Sequence, residues 1–160
     1  MSFTFGCPSA DVLTRLREAG SAAVVTVTTV EEARLAAAQG ADALCVQGVE
    51  AGGHRATFDP VHGHDRPLLD LLPDVIEAVD IPVIGSGGVM TGRDVAAVLD
   101  TGAVAAQLGT AFLCCPESGA QPDHKLALSD PSFTETALTW AFTGRPARGL
   151  VTVSYTHLRA

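Results

Sequence analysis

A histidine directly after two glycines is the most chemically suggestive feature of this sequence. It lies in the loop VQGVEAGGHRATF, residues 46–58, where Gly52 and Gly53 precede His54 at the end of an apolar run. Paired glycines permit a tight turn, and an imidazole in such a loop can accept and return a proton near neutral pH. The pattern therefore predicts His54 as a catalytic base. The alternative is a surface histidine without a chemical role.

Two other polar residues of this loop have more than one interpretation. Gln47 ends the apolar run and offers two N–H donors and a carbonyl acceptor. We interpret it as a group that binds the polar edge of a flavin or a base, and the alternative is that it satisfies the backbone of its own loop. Arg55 is expected to pair with Glu50 or to face solvent.

A second loop, VIGSGGVMTGRD, has the features of a phosphate site. Gly87 and Gly88 follow an apolar run, and a helix starts at Thr91. Glycines let the backbone approach a ligand closely, and the start of a helix offers free N–H groups. The loop is not the GxGxxG fingerprint of dinucleotide-binding sheets. A tight strand-to-helix turn without a ligand would also explain it.

A third loop repeats this chemistry after the next apolar run. It reads QLGTAFL, and its Gly109 and Thr110 offer another close backbone approach and a hydroxyl. Glycine loops after two successive strands are typical of the phosphate site of (β/α)8 barrels, which follows the last two strands. The two loops together predict one phosphate site more strongly than either does alone.

The three loops are positioned by a repeated unit of helix, glycine, short spacer and apolar strand. The apolar periodicity predicts five strands and four helices, at about 2–6, 22–28, 42–47, 81–85 and 104–108, and at about 9–19, 30–39, 67–79 and 91–101. Gly20, Gly40 and Gly102 lie where a helix is expected to end with positive φ. Two helix starts have capping-box spacing, namely Thr29 with Glu32 and Thr91 with Asp94.

Serial βα units build either an open doubly wound sheet or a barrel. The strands are nearly all apolar, which predicts a parallel sheet buried on both faces. In either fold the functional loops follow the carboxyl ends of the strands. The three loops lie there, whereas the turns from helix to strand are short and carry little chemistry.

Composition narrows the class of protein. The 160 residues are 47% hydrophobic and 18% charged, with a formal net charge of −8, as expected of a globular domain. The acidic balance argues against a nucleic-acid or membrane-surface partner. No apolar run approaches the roughly 20 residues that span a bilayer. The N-terminus lacks the pattern of a signal peptide, which predicts a cytoplasmic location.

Cysteines and the remaining histidines give no metal-binding pattern. The four cysteines form no CxxC pair and have no histidine at zinc spacing, so we predict buried free thiols and no metal site. They are Cys7, Cys45, Cys114 and Cys115. His62 and His64 are interpreted as solvated loop residues, with weak metal binding as the alternative.

The loops together resemble the nitronate monooxygenase family, formerly called 2-nitropropane dioxygenases. The resemblance rests on GADALCVQGVEAGGHRATF, IPVIGSGGVMTGRDVAAVLDTGA, AAQLGTAFLCCPESGAQPDHK and the later FTGRPARGL. It implies a TIM-barrel flavoenzyme with FMN as cofactor. The implied activity is the oxidation of alkyl nitronates by O2 to a carbonyl compound and nitrite. A small-molecule nitronate and O2 are then the partners, and a homodimer is compatible with this.

The resemblance also implies roles for particular residues. His54 would be the catalytic histidine, which removes a proton next to the nitro group or assists at the nitronate. FMN would contact Gln47 and the three glycine-bearing loops. The implied contacts in those loops are Gly52, Gly53, Gly87, Gly88, Gln107, Leu108, Gly109 and Thr110.

The length departs from the family pattern. A complete (β/α)8 barrel has roughly 250 residues, so we expect residues 1–152 to be the C-terminal part of an FMN-binding TIM barrel, an incomplete barrel of about five βα units. The final VSYTHLRA does not continue the family pattern, and residues 153–160 are interpreted as a non-native tail.

Two other functions stay open at this stage. An FMN-dependent enoyl-ACP reductase would carry the same double-glycine histidine loop and the same phosphate loops, but would need a nicotinamide donor and an acyl-carrier partner. An inactive flavin-binding or phosphate-binding fragment would keep the loops and lack catalysis.

Overall fold

Strands and helices alternate along most of the chain. A computed structural model of the protein describes residues 1–62 and 65–151. The strands are β1 (Ser2–Phe3), β2 (Val24–Val27), β3 (Ala43–Gln47), β4 (Gly53–His54), β5 (Val83–Ser86), β6 (Ala105–Gln107), β7 (Thr136–Thr139) and β8 (Ala147–Leu150). The helices are α1 (Ala10–Glu18), α2 (Val30–Gln39), α3 (Leu68–Ala78), α4 (Gly92–Asp100) and α5 (Pro122–Ser129), with a 3-10 turn at Thr110–Phe112. The predicted non-native tail, 153–160, lies outside the described residues.

The main sheet is parallel, and its spatial order follows the chain. Its strands lie in the order β1-β2-β3-β5-β6. Right-handed crossovers that always step in the same direction place their helices on one face of the sheet. Ala33, Leu72 and Val98, from three successive helices, accordingly share one hydrophobic core. The doubly wound alternative does not fit, because that fold reverses its strand order and covers both faces.

The two faces of the sheet are buried to different degrees. Val25 and Leu44 are paired in register and fully buried beneath the helices. Strands β2 and β5, which flank β3, alternate between buried and half-buried residues, and β3 is buried at three successive positions. The predicted burial of both faces is therefore correct only for the central strand, because the helices cover one side.

The helix ends follow their local sequence. Gly20, Gly40 and Gly102 have φ of +75°, +99° and +97°, which confirms the predicted left-handed helix ends. Strand β1 is shorter than the predicted 2–6. Phe5 has a φ of +71° and Gly6 one of +149°, so the chain turns out of the strand after Phe3.

A second, antiparallel sheet was not expected from the sequence. Strands β7 and β8 form a hairpin, and β8 also pairs with the two-residue β4. His54 lies opposite Ala147, and Gly53 lies opposite Arg148. This sheet brings the late segment of the chain against the loop that carries the histidine.

The cysteine prediction is correct for one of the four residues. Cys45 is buried in β3, and burial raises the pKa of its thiol to about 11. Cys7 and Cys115 are only partly buried, and Cys114 is exposed. The last two follow the 3-10 turn, which packs less deeply than the sheet. Within the described ranges, no helix is both long and apolar enough to cross a bilayer.

Candidate active site

The loops after β3, β5 and β6 surround one cavity. Parallel strands end at the same edge of the sheet, and register pairs Gln47 with Ser86 and Ser86 with Gln107. The cavity has a volume of about 360 Å³, within the range of small-molecule sites. It is lined by all the predicted cofactor contacts except Leu108, namely Gln47, Gly52, Gly53, Gly87, Gly88, Gln107, Gly109 and Thr110. Leu108 packs against the hydrophobic core instead.

Glycine is required where these loops touch one another. Gly87 has a φ of +121°, and a Cβ there would lie 3.2 Å from backbone atoms of Gly48 and Ala51. A Cβ at Gly52 would lie 2.7 Å from Oγ1 of Thr110. These two glycines therefore bring the loops into contact, whatever the cavity binds.

Gly109 is different, because its conformation and its surroundings would admit a side chain. Its φ is −110°, and a Cβ there would meet no atom within 4 Å. Gly109 nevertheless lines the cavity. A methyl group would take up open space beside the cavity, which is the behaviour of a glycine that leaves room for a ligand.

Three amides at the start of α4 are engaged by capping side chains of the same segment. The carboxylate of Asp94 accepts hydrogen bonds from the N–H groups of Met90 and Thr91 and from the Thr91 hydroxyl. The hydroxyl of Thr91 accepts from the N–H of Asp94, which completes the predicted capping box. The Thr91 hydroxyl and these N–H groups lower the pKa of Asp94.

Both polar atoms of the Gln47 side chain form hydrogen bonds within its own loop. Its Nε2 donates to the carbonyl of His54 at 3.0 Å. Its Oε1 accepts from the N–H of Ala56 and from Nη1 of Arg55, both at 2.9 Å. The amide of Gln47 thus fixes the backbone around His54, as in the alternative interpretation of this residue.

Arg55 neither pairs with Glu50 nor faces solvent, so that prediction was wrong. Its side chain is only 3% exposed. Nη1 donates to the carbonyl of Gly48 at 2.8 Å, and Nε donates to Asp65 at 3.1 Å. Burial lowers the pKa of the guanidinium, and the nearby Asp65 opposes this shift. The backbone carbonyls at the end of β3 attract this cation into the interior.

The carboxylate of Glu50 instead accepts from the N–H of Leu68. Leu68 is the first residue of α3, whose preceding residue is a proline without a capping side chain. Glu50 therefore caps a helix start, where a negative charge is favourable.

The carboxylate of Glu32 binds the C-terminal end of the loop that carries His54. The N–H of Glu32 donates to the hydroxyl of Thr29, which is half of the predicted capping box. The other half is absent, because the carboxylate of Glu32 accepts instead from the N–H groups of Thr28 and Phe58 and from the hydroxyl of Thr57. A buried carboxylate with several donors ties α2 to the loop that follows β4.

His54 lies beside the cavity, not in its lining. Its ring is half-buried, with Nε2 2.7 Å from Oγ1 of Thr143. The edge of the imidazole meets Phe5, with ring centroids 5.9 Å apart and planes at 79°. Phe5 in turn lies beneath the guanidinium of Arg145, whose Cζ is 4.5 Å from the ring centroid. Nothing in the local sequence pattern indicated these neighbours.

Two basic side chains of the cavity were also missed. Arg148 lines it from β8, with Nε bonded to the carbonyl of Val49 and Nη1 to the hydroxyl of Thr136. His124 lines it from α5. The only available signal was basic character in the segments PDHK and GRPARGL, because the contacts are long-range.

Of the two histidines in the segment VHGHDRP, only His62 is among the described residues. His62 is exposed and lies 2.9 Å from the carboxylate of Asp59, as expected of a solvated residue. His64 lies outside the described residues. Across residues 1–62 and 65–151, no cluster of three or more His, Cys, Asp or Glu residues is arranged to hold a metal ion.

Comparison with known proteins identifies the family. The sequence model of the nitronate monooxygenase family matches residues 1–159. A nitronate monooxygenase of Pseudomonas aeruginosa is 45% identical over 152 residues, which are 94% of this chain and 43% of that protein. The crystal structure of a nitroalkane oxidase from Streptomyces ansochromogenes has a TM-score of 0.92 and 55% identity, and covers 99% of this chain and 46% of that one.

A more distant solved structure is FabK from Thermotoga maritima. It has a TM-score of 0.81 and 32% identity, with 98% of this chain and 47% of that chain covered. The chain thus spans less than half the length of the relatives it matches. It belongs to the nitronate monooxygenase family.

Proposed function

We propose that the protein takes part in the FMN-dependent oxidation of alkyl nitronates by O2 to a carbonyl compound and nitrite. The observation that carries the proposal is the cavity that the loops after β3, β5 and β6 share, in a chain of this family. A small-molecule nitronate and O2 are its partners in this proposal. A homodimer and a cytoplasmic location belong to the same proposal.

The described chain is proposed to be part of a TIM barrel, with residues 1–152 as its C-terminal portion. Sequential parallel strands with helices on one face are the arrangement of a barrel wall. Strands β1 and β6 form the edges of the described sheet, and a barrel has no such edges. A closed barrel would therefore need further strands between these two edges.

FMN fits the residues that line the cavity. Gly109 leaves space beside it, and Gly88 has a left-handed φ of +68°, which lets its backbone turn towards a ligand. Arg148 adds a positive charge suited to a phosphate. We assign the phosphate to this side of the cavity, and Gln47 to a contact through its aliphatic stem, because its amide is engaged elsewhere.

His54 is proposed as the residue that accepts a proton from the carbon next to the nitro group. The electron pair of the broken C–H bond stays on the nitro compound, which becomes the nitronate, and the imidazole becomes charged. A bound flavin supplies the subsequent redox chemistry with O2. The amide of Gln47 donates to the carbonyl of His54 and so holds the backbone from which the imidazole side chain extends.

Anaerobic flavin reduction tests this proposal. The purified protein, saturated with FMN, is mixed without oxygen with an alkyl nitronate or with NADPH, and the visible flavin absorbance is recorded. Loss of absorbance with the nitronate, followed by nitrite formation when air is admitted, supports the proposal. Loss with NADPH alone would favour the reductase. Loss with neither, despite bound FMN, would indicate an inactive flavin-binding fragment.

The His54→Asn variant is the control for the proton-transfer step. It should keep FMN binding and nitronate-dependent bleaching. It should lose turnover with the neutral nitroalkane by a factor of about 100 or more, since a positioned base contributes on the order of 10² to 10⁴. Equal loss on both substrates would argue against His54 as the base.

A further inference from the structure

The ring of His54 has one close polar partner that no sequence pattern indicated. Oγ1 of Thr143 lies 2.7 Å from Nε2 of the imidazole, a short distance for a hydrogen bond between a nitrogen and a hydroxyl. The two residues are 89 positions apart in the chain. The contact therefore depends on the fold of the whole domain.

Thr143 lies in the connection between β7 and β8, and that connection is anchored beside His54. The N–H of Arg55 donates to the carbonyl of Pro146 at 2.8 Å, which extends the pairing of β4 with β8. On the other side of the turn, the N–H of Gly144 donates to the carbonyl of Trp140 at 3.0 Å. Gly144 has a φ of +71°, which closes the turn.

A side chain of the same turn provides a second anchor. Nη1 of Arg145 donates to the carbonyl of Thr57 at 3.3 Å, and its guanidinium lies over the ring of Phe5. Phe5 is also the aromatic neighbour of His54. The hydroxyl of Thr143 is thus held at a defined place, although the residue itself is exposed.

The direction of the hydrogen bond decides which ring nitrogen is basic. If Nε2–H donates to the hydroxyl, Nδ1 keeps a free lone pair and can accept a proton. If the hydroxyl donates to Nε2, the proton of the neutral ring is on Nδ1 and the only basic nitrogen is occupied. A neutral hydroxyl can also accept from Nε2–H after the ring has become charged. Only the first arrangement keeps the same hydrogen bond through proton transfer.

We propose that Thr143 is a positioning residue that accepts a hydrogen bond from Nε2–H of His54 and so leaves Nδ1 as the proton acceptor. The inference rests on the proposed role of His54 in catalysis. Its structural part, the tautomer of the ring, is measured without any turnover.

The test is 15N NMR of the histidine rings at about pH 9, above the ordinary range of imidazole titration. The signals of His54 are assigned by their loss in His54→Asn. In the unaltered protein we expect Nε2 to carry the proton. In Thr143→Val we expect the ratio of the two tautomers to change at least threefold, and in Thr143→Ser we expect it to be restored.

Thr139→Val is the matched control. It removes a hydroxyl from the same hairpin, one that accepts from the N–H of Ala141 and not from the ring. It should leave the His54 signals unchanged. An unchanged ratio in Thr143→Val, a serine variant that behaves like the valine variant, or Nδ1 as the protonated nitrogen in the unaltered protein would overturn the proposal.

Turnover separates this inference from the proposed function. With a nitroalkane as substrate, Thr143→Val should lower kcat about tenfold with little change in KM, because a misplaced base slows the chemical step. Thr143→Ser should restore kcat. If the protein oxidises no nitronate and yet shows the predicted tautomer change, the proposed function fails, whereas the hydrogen bond from Nε2–H to Thr143 and the tautomer that it fixes stand.

Discussion

Replacement of Arg55 by methionine tests whether a buried cation holds the histidine loop. Methionine keeps most of the apolar stem and removes the guanidinium. The lost bonds run to the carbonyl of Gly48 at 2.8 Å and to Oε1 of Gln47 at 2.9 Å. Asp65 also loses its partner, but its side chain is 49% exposed and becomes solvated. Its loss therefore adds little.

The expected loss of stability depends on which hydrogen-bond donors the carbonyl of Gly48 and Oε1 of Gln47 retain. The carbonyl of Gly48 retains the N–H of Ala51 at 3.2 Å, and Oε1 of Gln47 retains the N–H of Ala56. Neither is left without a donor, so each lost charge-assisted bond costs about 1.5 kcal/mol, the low end of its range. We expect the free energy of unfolding to fall by about 3 kcal/mol.

Urea unfolding followed by far-ultraviolet circular dichroism measures this loss. With a slope of about 2 kcal/mol per molar urea, the midpoint should fall by about 1.5 M and the slope should not change. Arg17→Met is the matched control, because Arg17 also bonds a carbonyl, that of Gly40 at 2.7 Å, and a carboxylate, that of Asp42. The Arg17 side chain is 55% exposed, so its midpoint should move far less. Equal shifts in the two variants would refute the reasoning from burial.

Three further changes test the cavity and its surroundings. Gly87→Ala should lower Tm by about 6 °C, because an alanine with positive φ that is pressed against main-chain atoms costs about 2 kcal/mol. Gly109→Ala should leave Tm unchanged and weaken FMN binding about tenfold in a fluorescence titration. Arg148→Met should raise the Kd for FMN about tenfold and leave riboflavin binding unaltered. Replacement of the exposed Arg93 of α4 by methionine is its control, and an equal loss for both flavins would place the phosphate elsewhere. Asp94→Asn should destabilise the protein at neutral pH but not in acid. The pKa of Asp94 is lowered in the folded state, so its contribution is present above its ordinary value near 3.8 and is lost as pH falls through the lower, folded value.

The repeated βα units were predictable because their signals are local. Helix α2 lies at the predicted 30–39, and Gly40 ends it with the expected left-handed backbone. A capping residue, an apolar stripe and a terminal glycine all lie within a dozen residues. Each favours a helix and its ends through local interactions, without contacts from distant parts of the chain. The short β1 shows the limit, since the turn at Phe5 was not visible in its apolar sequence.

The second sheet could not be predicted in this way. Strand β4 has only two residues and pairs with β8 about 90 positions later, so no periodic pattern of its own specifies it. Its existence depends on where the main sheet places the end of β3. Phe5 and Thr143, the neighbours of His54, lie far from it in the chain for the same reason.

The polar residues of the histidine loop show why position is easier to predict than role. Gln47 was predicted either to contact a ligand or to satisfy the backbone of its own loop. Arg55 was predicted to pair with Glu50 or to face solvent, because arginine is rarely buried. Here Arg55 is buried and donates to the carbonyls of Gln47 and Gly48 at the end of β3. Buried backbone carbonyls need donors, and side chains of the same loop can supply them. Polar side chains next to such a loop therefore belong to its support as often as to its chemistry. Gln47 bonds the backbone carbonyl of His54 and not its ring, which leaves the ring to the proton transfer that we propose for it.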